Sequence, residues 1–271
     1  MADHPRDILK KLNLQPKHSW GQNFLSDDRV LEHIAEEAML KPGEPCLELG
    51  PGLGHLTRFL LATGAKVTAV ERDRDMVKAL KLQKFEGLTI VEGNAAETDF
   101  AKAAGADQVV VVGNLPYHLS SPILFEVLDQ ANHVPRAVFT LQKEVVERVA
   151  AEPGTRESGI LTVMLALRYR VENVLDVPAE MFHPPPKVDS AVLKLTRFDE
   201  PRAEVKDEAR FRKVVKAGFA QRRKTLANSL KTEKSLTDDW GPVLEKAGID
   251  GKRRAETLTV EEFAAIERSL A

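Results

Sequence analysis

Glu48-Leu49-Gly50-Pro51-Gly52-Leu53-Gly54 follows the apolar run Pro45-Cys46-Leu47 and precedes the amphipathic stretch His55 to Thr63. The order is strand, glycine loop, helix. Glycines at such a junction let the backbone come close to a ligand and leave the helix N-terminus open toward it. The dinucleotide fingerprint G-x-G-x-x-G is not met, because with Gly50 and Gly52 as its first two glycines the third position is His55. A G-x-G-x-G loop with an acid in front of it suits a nucleoside ligand that carries no pyrophosphate. Glu71, twenty-one residues after Gly50, closes the next apolar run and is placed to accept hydrogen bonds from both hydroxyls of a ribose. A plain tight turn would account for the glycines; it would not account for the acid.

Outward from the loop the same alternation continues. Pro45 to Gly50, Lys66 to Glu71, Leu88 to Gly93, Gln108 to Leu115 and Arg136 to Gln142 read as strands. His55 to Thr63, Asp73 to Leu82 and Pro122 to Ala131 read as helices, the last with Ser120 or Ser121 as its cap and proline in its first turn. Strands alternating with helices of about ten residues imply βαβ units and a parallel sheet covered on both faces. Beyond Gln142, Lys143 to Ala150 and Gly159 to Arg168 read as helices, and Tyr169 to Val177 with Ser190 to Phe198 as two strands, a hairpin closing one sheet edge. Asp199-Glu200-Pro201-Arg202 reads as a linker, and Phe211 to Leu270 is helix-rich with no strand signal. The expected division is residues 1–199, with an N-terminal extension over 1–25, and residues 200–271.

A chain of 271 residues, 43% hydrophobic and 30% charged, can bury a sizeable core. Its apolar stretches are too short to span a bilayer and Met1 to Lys11 lacks a secretory core, so cytoplasmic residence without a membrane is expected. Cys46 is the single cysteine, which excludes disulfide frameworks and thiolate metal clusters. No His spacing suits a metal, none is expected, and no catalytic His is assigned. The net charge of -2 hides an asymmetry: the first 200 residues are acidic on balance and those from Pro201 on are basic. A basic tail hints at a polyanionic partner, although solvated Lys and Arg on a helical domain would give the same count.

Asn114-Leu115-Pro116-Tyr117 stands directly after the apolar run Val109-Val110-Val111-Val112. An amide acceptor, a free carbonyl before proline and an aromatic face can together grip a flat ring that bears an amino group. The tetrapeptide also reads as an X-Pro turn with Tyr in the core, and alone it does not decide. With Glu71 and the glycine loop beside it, a methyl donor enters: a ribose acceptor without a pyrophosphate cradle favours S-adenosylmethionine over NAD. The loop resembles the first motif of Rossmann-like class I methyltransferases, and Asn114 to Tyr117 resembles their amino-methylating motif.

Three further segments narrow the resemblance to the small-subunit (16S) ribosomal RNA adenine N6-dimethyltransferases. They are Gly21-Gln22-Asn23-Phe24-Leu25, Phe182-His183-Pro184-Pro185-Pro186-Lys187-Val188-Asp189-Ser190, and Gln221-Arg222-Arg223-Lys224-Thr225-Leu226 with Asn228-Ser229-Leu230. The resemblance runs from about Pro16 to Leu230. It implies an α/β fold with a mostly parallel seven-stranded sheet and a small all-α C-terminal domain that binds RNA or the ribosome. It also implies dimethylation of two adjacent adenines in the 3′-terminal hairpin loop of small-subunit rRNA, with a part in small-subunit biogenesis. The partner would be that rRNA or an immature 30S particle, and the enzyme a monomer.

By the same resemblance, Asn23 and Leu25 would touch the methionine portion of S-adenosylmethionine, Gly50 and Gly52 would line its loop, and Glu71 would take its ribose. Position 94, usually Asp in the family, is Asn94 here and would meet the cofactor adenine with an uncharged acceptor and somewhat lower affinity. Asn114 and the Leu115 carbonyl would hold the target amine, with Pro116 stiffening the turn and Tyr117 and Phe182 sandwiching the base. Without the family, Phe182 reads as an ordinary core aromatic. Arg222, Arg223 and Lys224, read onto the helix that carries Phe211, Val214, Val215 and Phe219, would meet phosphate beside Asn228 and Ser229, and Lys252-Arg253-Arg254 would extend the patch.

Two other readings compete: a large-subunit rRNA adenine methyltransferase of the macrolide-resistance type, and a ribosome-assembly factor in which methylation is secondary. Pro184 to Pro186 and the Gln221 to Leu226 segment argue for the small-subunit enzyme. An NAD-dependent oxidoreductase lacks both the fingerprint and a hydride-transfer His or Tyr-Lys pair.

Overall fold

The computed structural model describes residues 4–17 and 20–270. The chain divides into two compact units, residues 1–146 with 172–197, and residues 147–171 with 198–271.

The first unit is built on a seven-stranded sheet. Its strands are β2 (Pro45–Leu49), β3 (Lys66–Glu71), β4 (Thr89–Glu92), β5 (Val110–Asn114), β6 (Arg136–Gln142), β7 (Tyr169–Val177) and β9 (Ser190–Arg197), in the spatial order β4-β3-β2-β5-β6-β9-β7. The five from β4 to β6 run parallel, as the alternation with helices required. β9 turns antiparallel to β6, and β7 bonds to its outer side, so the late strands close one edge. Val110, Val111, Val112, Val138 and Phe139 have no exposed surface, which is the pattern of strands covered on both faces. β1 (Phe24–Leu25) and β8 (Phe182–His183) form a separate antiparallel pair with Leu25 opposite Phe182.

The helices begin where short acceptors satisfy their first amides. Asp27 caps Asp28–Glu37 and Asp73 caps Arg74–Gln83. The expected cap at Ser120 or Ser121 does not exist: Ser120 is already the first residue of helix Ser120–Asp129. A 3-10 turn, Tyr117–Leu119, runs straight into that helix, and the Ser120 hydroxyl donates back to the Tyr117 carbonyl at 2.9 Å.

The second unit is helical, with Ile160–Arg168, Glu208–Phe219, Leu226–Leu230, Trp240–Ala247 and Val260–Ser269. Phe211, Val214 and Val215 are buried, and Phe219 stacks on Phe263 with ring centroids 5.8 Å apart. Residues 147–171, which a single break at 199 would leave with the sheet, pack with this unit. The Arg202 guanidinium meets Glu152 and Glu261, each at 2.9 Å, and the Phe198 amide donates to the Arg168 carbonyl. The basic triplet needs a correction. Helix Glu208–Phe219 ends before it, and Arg222, Arg223 and Lys224 lie exposed on the turn that follows. The turn forms because the Ser229 hydroxyl, fully buried, donates to the Ala217 carbonyl and accepts from the Gln221 amide, so Ser229 is not available to a phosphate.

Candidate active site

β2 and β5 lie side by side, and the chain leaves them in opposite directions across the sheet: β3 and β4 follow on one side, β6 on the other. At such a reversal the loops beyond the strand ends diverge and open a crevice. A cavity of about 290 Å³ sits there, and its lining includes Glu48, Gly50, Gly52, Glu71, Asn94, Asn114 to Tyr117 and Phe182. Asn23 and Leu25 close it from the N-terminal segment. All the residues expected to hold a cofactor or a target base therefore line one cleft.

Glu71 ends β3 with its carboxylate buried and held by two backbone amides. Oε1 accepts from Asp73 at 2.7 Å and Oε2 from Gly52 at 3.1 Å. Burial pushes its pKa up, and those amide bonds oppose the shift. Gly52 has φ +55, and a Cβ there would come within 3.0 Å of the Phe24 ring, so no other residue brings its amide to Glu71 without displacing Phe24. Glu48 lies wholly buried beneath the loop, where it accepts from the Thr57 hydroxyl at 2.6 Å. Asn94 starts the turn Ala95–Glu97: its Oδ1 accepts from Ala96 and its Nδ2 donates to Glu97 at 2.6 Å. The carbonyl oxygen keeps a second lone pair for a ligand.

At the other end, β5 delivers Asn114 to its last position. The Asn114 Nδ2 donates to the Asn23 carbonyl at 3.2 Å, which leaves Oδ1 as its acceptor. Leu115 is buried, and its amide reaches the Thr140 carbonyl at 3.3 Å on β6. Tyr117 is half-buried, with its hydroxyl 2.8 Å from the Ser190 hydroxyl. Burial raises the Tyr117 pKa, so it stays a neutral phenol. Phe182 belongs to the core cluster with Leu25 and Leu31 and also lines the cleft.

Three features escaped the sequence. Trp20 lines the cleft partly exposed, its ring flanked by the Lys17 ammonium at 5.3 Å and the Arg72 guanidinium at 5.4 Å. Asp73 receives both Lys17 and Gln22 from the N-terminal segment. Ser190 braces Tyr117. The last two had a visible signal, since Gln22 and Ser190 fall inside the quoted motifs; Trp20 had none. Arg222, Arg223 and Lys224 belong to the second unit. Of the proposed extension, Arg253 is bound to Glu262 at 3.0 Å and to the Thr257 carbonyl, so it is already committed within its own unit.

A family model described as Ribosomal RNA adenine dimethylase matches residues 13–271. A ribosomal RNA small subunit methyltransferase A of Myxococcus xanthus is 64% identical over 270 residues, covering 99% of this chain and 95% of that one. Another of that name, from Anaeromyxobacter sp., is 51% identical over the whole of both chains. Among solved structures, a dimethyladenosine transferase from Plasmodium falciparum matches with TM-score 0.71 and 26% identity, over 90% of this chain and 95% of that one. The 23S rRNA methyltransferase ErmE also matches with TM-score 0.71, at 28% identity over 92% and 99%.

Proposed function

The chain belongs to the ribosomal RNA adenine dimethylase family, and from that premise we infer that it uses S-adenosylmethionine to dimethylate N6 of adenine in small-subunit rRNA. The observation that carries the reading is the fixed amide of Asn114 in a cleft that Glu71, Tyr117 and Phe182 also line. The large-subunit alternative shares the fold, as ErmE does, but the identity of 64% with a small-subunit enzyme against 28% with ErmE favours the small subunit.

The residues suit the cofactor. The buried Glu71 carboxylate, shaped by two amides, is an acceptor pair for a ribose diol, and Asn94 offers an acceptor for an adenine amine. Asn23, Leu25, Gly50 and Gly52 complete that half of the cleft. When bound, S-adenosylmethionine supplies a methyl on positive sulfur, electrophilic without further activation.

The protein's part is position. Asn114 Oδ1 and the Leu115 carbonyl accept the two hydrogens of the target amine, which turns the nitrogen lone pair out of conjugation with the ring. Tyr117 and Phe182 take the faces of the base, and stacking worth about 1–3 kcal/mol offsets much of the cost of unstacking it from an RNA loop. No strong base is needed, since the nitrogen becomes acidic once alkylated. Residues 1–199 would carry the chemistry, while 200–271, through Arg222, Arg223 and Lys224, would bind RNA or an immature 30S particle. The chain would act as a monomer in the cytoplasm on two adjacent adenines of the 3′-terminal hairpin.

The test is methylation of small-subunit particles and of naked rRNA with S-adenosylmethionine, read by mass spectrometry of nuclease digests. Dimethyladenosine is expected in the 3′-terminal loop. Asn114→Ala should lower its rate by roughly tenfold to a hundredfold, the worth of one strong acceptor bond. Label appearing only in large-subunit rRNA, or an undiminished Asn114→Ala, would overturn the reading.

A further inference from the structure

The Asn114 amide can act as an acceptor toward the target only in one of two orientations. The terminal torsion of Asn is broad and roughly two-fold, so a half-turn exchanges oxygen and nitrogen at little cost of its own. A flipped amide would present Nδ2 to the target amine, donor against donor. The observed orientation rests on one bond, from Nδ2 to the Asn23 carbonyl. That carbonyl belongs to the N-terminal segment, and the residue before it is bolted to the opposite end of the cleft. The Gln22 Nε2 donates to Asp73 Oδ2 at 2.8 Å, and its Oε1 accepts from the Lys17 amide at 2.9 Å. Asp73 is almost fully buried. Its Oδ1 takes the Lys17 ammonium at 2.6 Å and caps the Asp75 amide, while its own amide donates to Glu71 Oε1. An unbroken path therefore runs from the Glu71 carboxylate through Asp73 and Gln22 to Asn23 and the Asn114 amide.

We propose that Gln22 and Asp73 are positioning residues for the methyl transfer: their hydrogen bond fixes the Asn23 carbonyl and thereby holds the Asn114 amide oxygen toward the target amine. The path begins on the side chain assigned to the cofactor ribose and ends on the one assigned to the target, so it ties the two halves of the cleft together. This inference rests on Asn114 being the amine acceptor.

The experiment uses full-length protein with Gln22→Met, which keeps the length of the side chain and removes its polar atoms, and Gln22→Glu, which sets a carboxylate against Asp73. The double variant Gln22→Glu with Asp73→Asn restores the bond with donor and acceptor exchanged. Single-turnover methylation of small-subunit particles, calorimetric S-adenosylmethionine affinity and Tm are measured for each, beside wild type and Asn114→Ala. Gln22→Met and Gln22→Glu are expected to slow methyl transfer about fivefold to tenfold, the worth of one hydrogen bond, with cofactor affinity within about twofold of wild type. The double variant should recover most of the rate. A merely structural role would lower cofactor affinity and Tm together with the rate, and that result overturns the proposal. So does an unslowed Gln22→Met beside an inactive Asn114→Ala, whereas an active Asn114→Ala points instead to the assignment of Asn114.

Discussion

Glu48 is a carboxyl with no exposed surface worth the name, roofed by the glycine loop and given one donor by Thr57. Burial pushes its pKa up to about 8, with the Thr57 bond opposing and the nearby Glu71 charge adding to the shift. The folded chain therefore keeps a proton that the unfolded chain gives up above the ordinary value of 4.5. Since the native state binds more protons over that window, stability falls as pH rises from there to about 8 and then levels. Burial moves Glu71 in the same direction, so Glu48 supplies part of the slope. Glu48→Gln, which mimics the protonated form, should leave Tm nearly unchanged near about pH 4 and raise it relative to wild type near about pH 8.5. Scanning calorimetry at both values checks this, and equal slopes in the two proteins would count against it. At this scale the sequence spoke unevenly. Glu71 and Asn114 were legible because strand ends and motifs mark them. The protonation of Glu48 was not, because it depends on how completely the loop covers it.

Between residue and molecule lies β5, whose last two positions do different work. Gly113 lets the strand pass close to β2: a Cβ there would stand 2.6 Å from the Leu49 carbonyl oxygen and 3.0 Å from the Leu115 side chain. Only a residue without a side chain allows Asn114 to emerge where it does. Gly113→Ala must push β5 away from β2, at a cost of about 1–3 kcal/mol, typical of overpacking, which in a domain of this size is a fall in Tm of roughly 2–10 °C. Methyl transfer should fall further than cofactor affinity does, since the displaced neighbour is Asn114. An unchanged Tm in calorimetry would remove the argument. The periodic elements were readable because βαβ alternation is a strong local signal. The β1–β8 pair was not, because two residues make no period and their partners lie more than 150 positions away. The basic triplet left its helix for a reason the helical spacing conceals: buried Ser229 draws the chain into a turn.

For the molecule as a whole, charge is divided unequally along the chain, and the exposed turn at Arg222, Arg223 and Lys224 concentrates it. If all three meet phosphates, replacing them with alanine should reduce the salt slope of RNA binding by about 2, from roughly 0.7 per contact on single-stranded RNA. Filter binding over a range of salt concentrations measures the slope, and calorimetry should find S-adenosylmethionine affinity unaltered. A slope equal to wild type would show that the turn faces water only. The strand order has a consequence in time. β7 cannot take its place at the sheet edge until β9, made later, lies between it and β6, and the N-terminal segment gains its strand partner only when Phe182 and His183 exist. A chain leaving the ribosome has its five parallel strands and glycine loop before the β1–β8 pair can form, so Phe182 and the strand pair that fixes Leu25 are the last parts of the cleft to be set.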